Sequence, residues 1–255
     1  MAEQNVPEEV LELLPTIYRD VAQASVQKIG KALSSIVGII TAPLIVGSAI
    51  AEENLNKLIQ RLGKENLDDI VPVPTELGVP ILERLKYTRG EELAKLYIEL
   101  FVKASLKESQ NRTHPSYFEI ITSLSVDESK ILSYLEKNFT NSEIPYIRVK
   151  GKLKDERGDI IVLKYFTLLS DSIKFFSPDN EQMYLENLVR LGILHDYGSR
   201  YLIDEKFYKP LSEHALIEKI KKSIETSGSE MAIEKSYFEL TDFGASFIKT
   251  CVPAG

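Results

Sequence analysis

The sequence predicts a mainly α protein with a small β component, an α+β chain, on three observations. Apolar residues recur at helical spacing through most of the first 137 positions. The period then drops to two in YIRVKGKLK, Tyr146 to Lys154, where apolar residues alternate with cations. Helical spacing returns afterwards, broken by short β-rich runs.

Composition bounds the function classes. The 255 residues carry a net charge of −7, shared between the two halves, whereas a general nucleic-acid binder shows a basic excess. The lone cysteine, Cys251, cannot form an internal disulfide and fits a reducing cytosol. Glu3, Glu8, Glu9 and Glu12 make the first residues acidic, unlike a secretory leader with a basic start and an apolar core. The Asn111 and Asn138 sequons are then chance matches.

In chain order, a helix is expected from Pro15 to about Lys31. Ala32 to Ala51 follows without a charged side chain, about the 20 residues that cross a bilayer as a helix. Ser34, Gly38 and Ala42 fall four apart, a spacing that lets helix backbones approach closely, with Ile40 among the apolar remainder. Pro43 interrupts the run and no Trp or Tyr flanks it. Two readings stand: a segment that engages a membrane, or two short helices buried in a core. Glu52 to Leu62 forms the next helix, stopped at Gly63, and Pro72, Pro74 and Pro80 favour an extended linker.

Leu93, Leu96, Tyr97, Leu100, Phe101 and Ala104 mark an amphipathic helix from Glu91 to Lys107. Helical residues follow His114-Pro115, and Ser125 to Glu128 is a capping box that opens a helix through Lys137. The alternating strand comes next, with Arg148, Lys150, Lys152 and Lys154 on one face. After a DERGD turn, IIVLKYFTLL reads as a strand lying more centrally in the sheet. Ser177-Pro178 starts a helix ending near Gly192, Gly198-Ser199 is a turn, and Leu211 to Ile224 is a helix. YFEL is a last strand, and Thr241 caps the closing helix. The domains expected are a helical region over 1–70, a Pro-rich linker with an amphipathic helix over 71–115, and an α+β module over 116–255.

Leu185, Leu188, Leu191, Gly192, Ile193 and Leu194, followed by Leu240, Thr241, Phe243, Gly244 and Phe247, resemble a winged-helix-like module. Further residues widen the match: Pro72-Val73-Pro74, the Leu93 to Leu106 helix, His114 through Ile121, and Leu124-Ser125 through Asp127-Glu128 to Lys130-Ile131-Leu132. With them the chain is similar, from about Pro15 to Val252, to the abortive infection alpha family. The resemblance implies a bacterial protein linked to phage resistance and carries over no catalytic residue.

No catalytic pattern emerges from the residues themselves. His114, His195 and His214 lack metal-ligand spacing, and no phosphate loop, dinucleotide fingerprint or nucleophile elbow occurs. Glu128-Ser129-Lys130 mimics a nuclease Glu-x-Lys, but the two side chains diverge on a helix. Arg157-Gly158-Asp159 belongs to a turn. The expectation is a non-enzymatic defence component without a cofactor, cytoplasmic or at the inner face of the membrane. A phage or host protein would trigger it, and homo-oligomerisation is compatible with this role. The candidate membrane or helix-packing residues are Ser34, Gly38, Ile40 and Ala42. The alternative is a nucleic-acid-binding or regulatory adaptor. It would act through Arg148, Lys150, Lys152 and Lys154, placed to meet phosphates or anionic lipid heads, and through the Arg190 to Arg200 region. Lysines on an edge strand also serve simply to block edge pairing.

Overall fold

A computed structural model of the chain describes residues 23–34, 49–138, 143–152 and 158–253. It is mainly helical with one antiparallel sheet, as the periodicities predict. Two compact units emerge. One is built from residues up to Ser129 together with Phe247 onward, the other from Lys130 to Ser246.

The first unit is helical: α1 (Gln23–Leu33), α2 (Ala49–Gly63), α3 (Thr75–Leu85), α4 (Glu91–Ala104), α5 (Ser116–Thr122) and the start of α6 (Val126–Lys137). Leu55, Leu58, Ile59 and Leu62 line the buried face of α2, and Leu96, Leu100 and Phe101 that of α4. Burial of this kind is the main force holding such helices together. Lys28 Nζ finishes α2 by donating to the Gly63 carbonyl at 2.7 Å, and Lys31 Nζ reaches the Leu67 carbonyl in the turn beyond it at 3.1 Å. Cations at a helix C-terminus satisfy orphan carbonyls and complement the dipole. Arg61 forks onto Glu99, Nε to Oε1 at 2.5 Å and Nη2 to Oε2 at 3.0 Å, and also bonds Glu65. Burial opposes the guanidinium charge, and the hydrogen bonds to Glu99 and Glu65 outweigh it.

The stretch around Pro80 corrects the sequence reading. Thr75 to Leu85 is a helix with Pro80 inside it, not an extended linker. Leu77, Ile81 and Leu85 fall on one buried stripe, and their burial outweighs the one hydrogen bond a proline removes. The Pro74 carbonyl accepts the amides of Leu77 and Gly78, which starts the helix. Asn54 closes its far end, donating to the carbonyls of Leu85 and Thr88 at 2.8 Å each. The capping box at Ser125 forms in both directions: the Ser125 amide donates to Glu128 Oε2 at 2.6 Å and the Glu128 amide to Ser125 Oγ at 3.3 Å.

The second unit holds β1 (Glu143–Lys152), β2 (Asp159–Phe166), β3 (Leu194–Asp196) and β4 (Glu230–Leu240), ordered β2-β1-β4-β3. Between β2 and β3 come α7 (Leu169–Ser172) and α8 (Glu181–Arg190), and between β3 and β4 come α9 (Lys209–Ser212) and α10 (Ala215–Thr226). The closing helix, α11 (Asp242–Cys251), starts after β4. Ile147 and Val149 of β1 pack with Tyr208, Leu211, Ile217 and Ile224 on one sheet face. Gly192 ends α8 at φ 73°. The Ile193 amide bonds the Leu188 carbonyl and the Gly192 amide that of Val189, a glycine C-cap.

Three further differences from the sequence expectations are found here. β2 is an edge strand, because β4 takes the other side of β1 over its whole length. Ile160, Ile161 and Val162 are consequently exposed. β4 spans eleven residues rather than YFEL alone, its first half pairing in register with β1 while Met231 and Ile233 pack against the core. The helix expected over Leu211 to Ile224 is split at Glu213-His214, where His214 Nδ1 accepts the Leu216 amide as an N-cap. The α+β class holds. The winged-helix-like description is not established, since residues 197–229 between β3 and β4 carry two helices where a wing would be a short loop.

Of the apolar stretch Ala32 to Ala51, positions 35–48 lie outside the described residues, and with them Gly38, Ile40 and Ala42. Ser34 is exposed and donates its hydroxyl to the Lys31 carbonyl at the end of α1. Among the described residues, no helix is long and apolar enough to cross a membrane.

Candidate functional site

The strand predicted to carry a basic stripe does alternate, with Tyr146, Arg148, Lys150 and Lys152 on the face opposite Ile147 and Val149. What faces that stripe comes from β4. Register sets Glu234 opposite Arg148 and Glu230 opposite Lys152. Glu234 accepts from Lys150 Nζ at 2.5 Å and from Arg148 Nη1 at 3.3 Å. Asp159 of β2 lies 3.8 Å from Lys150 Nζ. The bond from Lys150 holds the Glu234 carboxyl below the usual glutamate range. Lys152 is exposed, and Lys154 lies outside the described residues. Arg148 and Lys150, which sequence alone leaves facing solvent, are thus matched by carboxylates of neighbouring strands.

Further along the same face, an aromatic cluster surrounds one carboxylate. Tyr146 packs on Tyr165 and Phe238 with ring centroids 5.0 and 4.7 Å away. Both tyrosine hydroxyls donate to Asp196, Tyr146 to Oδ1 at 2.6 Å and Tyr165 to Oδ2 at 2.9 Å. Burial, then the bond to Asp196, raises both phenol pKa values. The Gly198 amide also donates to Asp196 Oδ1, at 2.9 Å, so this carboxylate fixes the turn that follows β3.

That turn builds a cluster of aromatic and cationic side chains. Tyr197 stacks on Tyr237 of β4 at 4.7 Å, with 21° between the ring planes. His195 meets the edge of Tyr197 at 4.6 Å, and the Arg200 guanidinium lies 5.4 Å from the Tyr197 ring. A hydrogen bond to Glu239 raises the Tyr197 pKa. Tyr201 and Ile203 of the same loop are exposed, Ile203 at 93%. His195, Tyr197 and Arg200 of this ladder lie within the Arg190 to Arg200 region singled out from the sequence, whereas Tyr237 comes from β4 and neither tyrosine was singled out itself. Their one sequence mark is a tyrosine beside each of two short β-rich runs.

A cavity of about 550 Å³ opens beside β2 and the start of α8. Thr167 and Ser170 donate their hydroxyls to Glu181 at its wall, and the His214 ring lies 5.1 Å from that of Phe166. The remaining sequence candidates have structural partners. His114 Nδ1 accepts the Ser116 amide at 3.1 Å, and Cys251 is fully buried, which pushes its thiol pKa well up. Among the described residues, no group of three or more His, Cys, Asp or Glu could hold a metal ion.

No curated protein matches the chain. A solved structure, of an uncharacterized protein from the hydrocarbon-degrading marine bacterium Alcanivorax borkumensis SK2, is similar at 14% identity and a TM-score of 0.37. The match covers 56% of this chain and 96% of that one. The family model for abortive infection alpha matches residues 50–251, which takes in α2 through α11. The chain belongs to the abortive infection alpha family.

Proposed function

We propose that this chain is a non-enzymatic component of abortive-infection-type phage defence, and that its second unit binds a phage or host protein through the β3–β4 aromatic ladder. The observation that carries the reading is the half-buried Tyr197–Tyr237 stack flanked by the exposed His195 and Arg200. Tyr supplies large contact area at little conformational cost, and Tyr and Arg are enriched among the side chains that carry protein interfaces. Ile203 beside them is an apolar side chain with no core to fill. A binding role rather than a catalytic one is favoured by how the reactive side chains are used. The Nδ1 atoms of His114 and His214 accept backbone amides, and the Cys251 thiol is buried.

A protein partner suits this surface better than nucleic acid. Aromatic platforms for bases work together with a positive groove, whereas Glu239 bonds Tyr197 within the ladder, Asp204 and Glu205 of the following loop pair with Lys206 and Lys235, and Arg148 and Lys150 of β1 are matched by Glu234.

The test compares phage plating on cells carrying the wild-type gene or a variant with Tyr197→Ala and Ile203→Asp. Protection should fall with the melting temperature kept within a few degrees. Full protection by a folded variant would reject the ladder as the binding surface. Retention of single-stranded DNA or RNA by the wild type at low salt, lost in the variant, would replace the protein partner with nucleic acid.

A further inference from the structure

The cavity of about 550 Å³ beside β2 and the start of α8 has no part in the aromatic ladder. Small-molecule sites are concave, of about 300–1,000 Å³, with mostly apolar walls and a few placed polar groups. Here Leu163 and Phe166 of β2, Leu168, Met183 of α8 and Leu216 of α10 supply apolar wall. Met183 and Leu216 are exposed, at 56 and 41%, so an apolar occupant removes from water surface that the fold leaves wet. The placed polar group is Glu181, half-buried at the first position of α8. Its Oε1 accepts from Thr167 Oγ1 and its Oε2 from Ser170 Oγ. Thr167 is 4% exposed, and its hydroxyl also accepts the Leu169 amide at 3.0 Å, so its single proton is committed to Glu181. A carboxylate fixed at both oxygens still keeps acceptor capacity on each.

We infer that this cavity binds a small organic cation, an ammonium group carried on an apolar body, with the ammonium at Glu181 and the body along the apolar wall. Charge complementarity selects the sign. Asp171 and Asp179 line the cavity together with Glu181, and no lysine or arginine does. Among the described residues, none of these carboxylates is in an ion pair. Glu181 by itself complements the positive end of α8, so Asp171 and Asp179 exceed what the helix needs. An anionic ligand would meet carboxylates with no cation to offset them, whereas an ammonium donates charge-assisted hydrogen bonds to a carboxylate already held in place. This inference does not rest on the aromatic ladder.

Titration calorimetry and amide chemical-shift mapping of the full chain provide the test, with circular dichroism melts checking that each variant folds. The probes are hexylammonium, phenethylammonium, ethylammonium and hexanoate. The first two should bind with a Kd of about 1 mM or tighter. Ethylammonium, which lacks the apolar body, should bind at least about tenfold more weakly, and hexanoate should not bind. Shifted amides should map to β2 and the start of α8. Glu181→Gln should weaken hexylammonium at least about tenfold. Met183→Lys, at an exposed position, should do the same by setting a like charge against the ligand. Failure of both hexylammonium and phenethylammonium to bind, or equal binding of hexanoate, overturns the inference. So does a folded Met183→Lys variant that binds hexylammonium as tightly as wild type.

Discussion

Tyr146 of β1 donates its hydroxyl to Asp196, fifty residues on in the chain, at 2.6 Å. This bond joins the centre of the sheet to the turn after its shortest strand. With burial as the first cause and Asp196 the second, the Tyr146 pKa rises well above the ordinary tyrosine value of about 10. Because the folded value is the higher one, the stabilisation is fully present below about pH 10 and is lost as the pH rises from there toward the folded value. In an alkaline titration followed by near-UV absorbance and circular dichroism, Tyr146 and Tyr165 should ionise only as the fold is lost. Complete tyrosine ionisation near pH 10 with the sheet intact would contradict this geometry.

Glu234 runs the opposite way. Lys150, first, depresses its pKa, so its contribution is present above the ordinary glutamate pKa of about 4.3 and disappears as the pH falls through the depressed value. Glu234→Gln should therefore lower the urea midpoint at neutral pH, with a gap to wild type that closes in acid. A gap that stays constant with pH would show that the charge of Glu234 does not matter.

A Cβ at Gly244 would lie 2.3 Å from the Ile193 carbonyl oxygen, while one at Gly198 would meet nothing within 4 Å. Gly244→Ala should destabilise by about 2–4 kcal/mol, since backbone must move. Gly198→Ala, at φ 63°, should lose only about 1–2 kcal/mol from its left-handed conformation. Equal losses in chemical denaturation would mean that close approach is not what Gly244 provides.

The buried Cys251 thiol, its pKa pushed up by burial, should not react with an aromatic disulfide reagent at neutral pH until denaturant is added. Immediate reaction of native protein would place this cysteine at the surface.

Elements whose signals are local were legible. The Ser125–Glu128 box and the Thr241 cap, which accepts the Gly244 amide at 2.8 Å, are encoded within four residues, and both helices start where the sequence places them. The alternation of β1 was equally plain. What β1 faces was not, because Arg148 meets a carboxylate 86 residues away, and no local pattern states a strand's neighbours. The same limit hid the edge position of β2 and the meeting of Tyr197 with Tyr237. Pro80 misled for another reason: proline reports what a backbone loses, whereas the buried stripe of Leu77, Ile81 and Leu85 decides what the segment gains.

Phe247, Ile248, Cys251 and Val252 are all buried, and they belong to the unit that begins the chain, where Phe247 sets its ring edge-on to Tyr117 at 5.4 Å. A ribosome delivers these side chains only after the whole second unit has been made. The described helices up to Ser129 thus emerge before the side chains of Phe247, Ile248, Cys251 and Val252 that complete their unit, although nascent domains generally fold from the N-terminus as they appear. The second unit has every one of its own residues available earlier. The order of synthesis and the order of completion are reversed in this protein, and cutting it at Ser129 would not release a finished half.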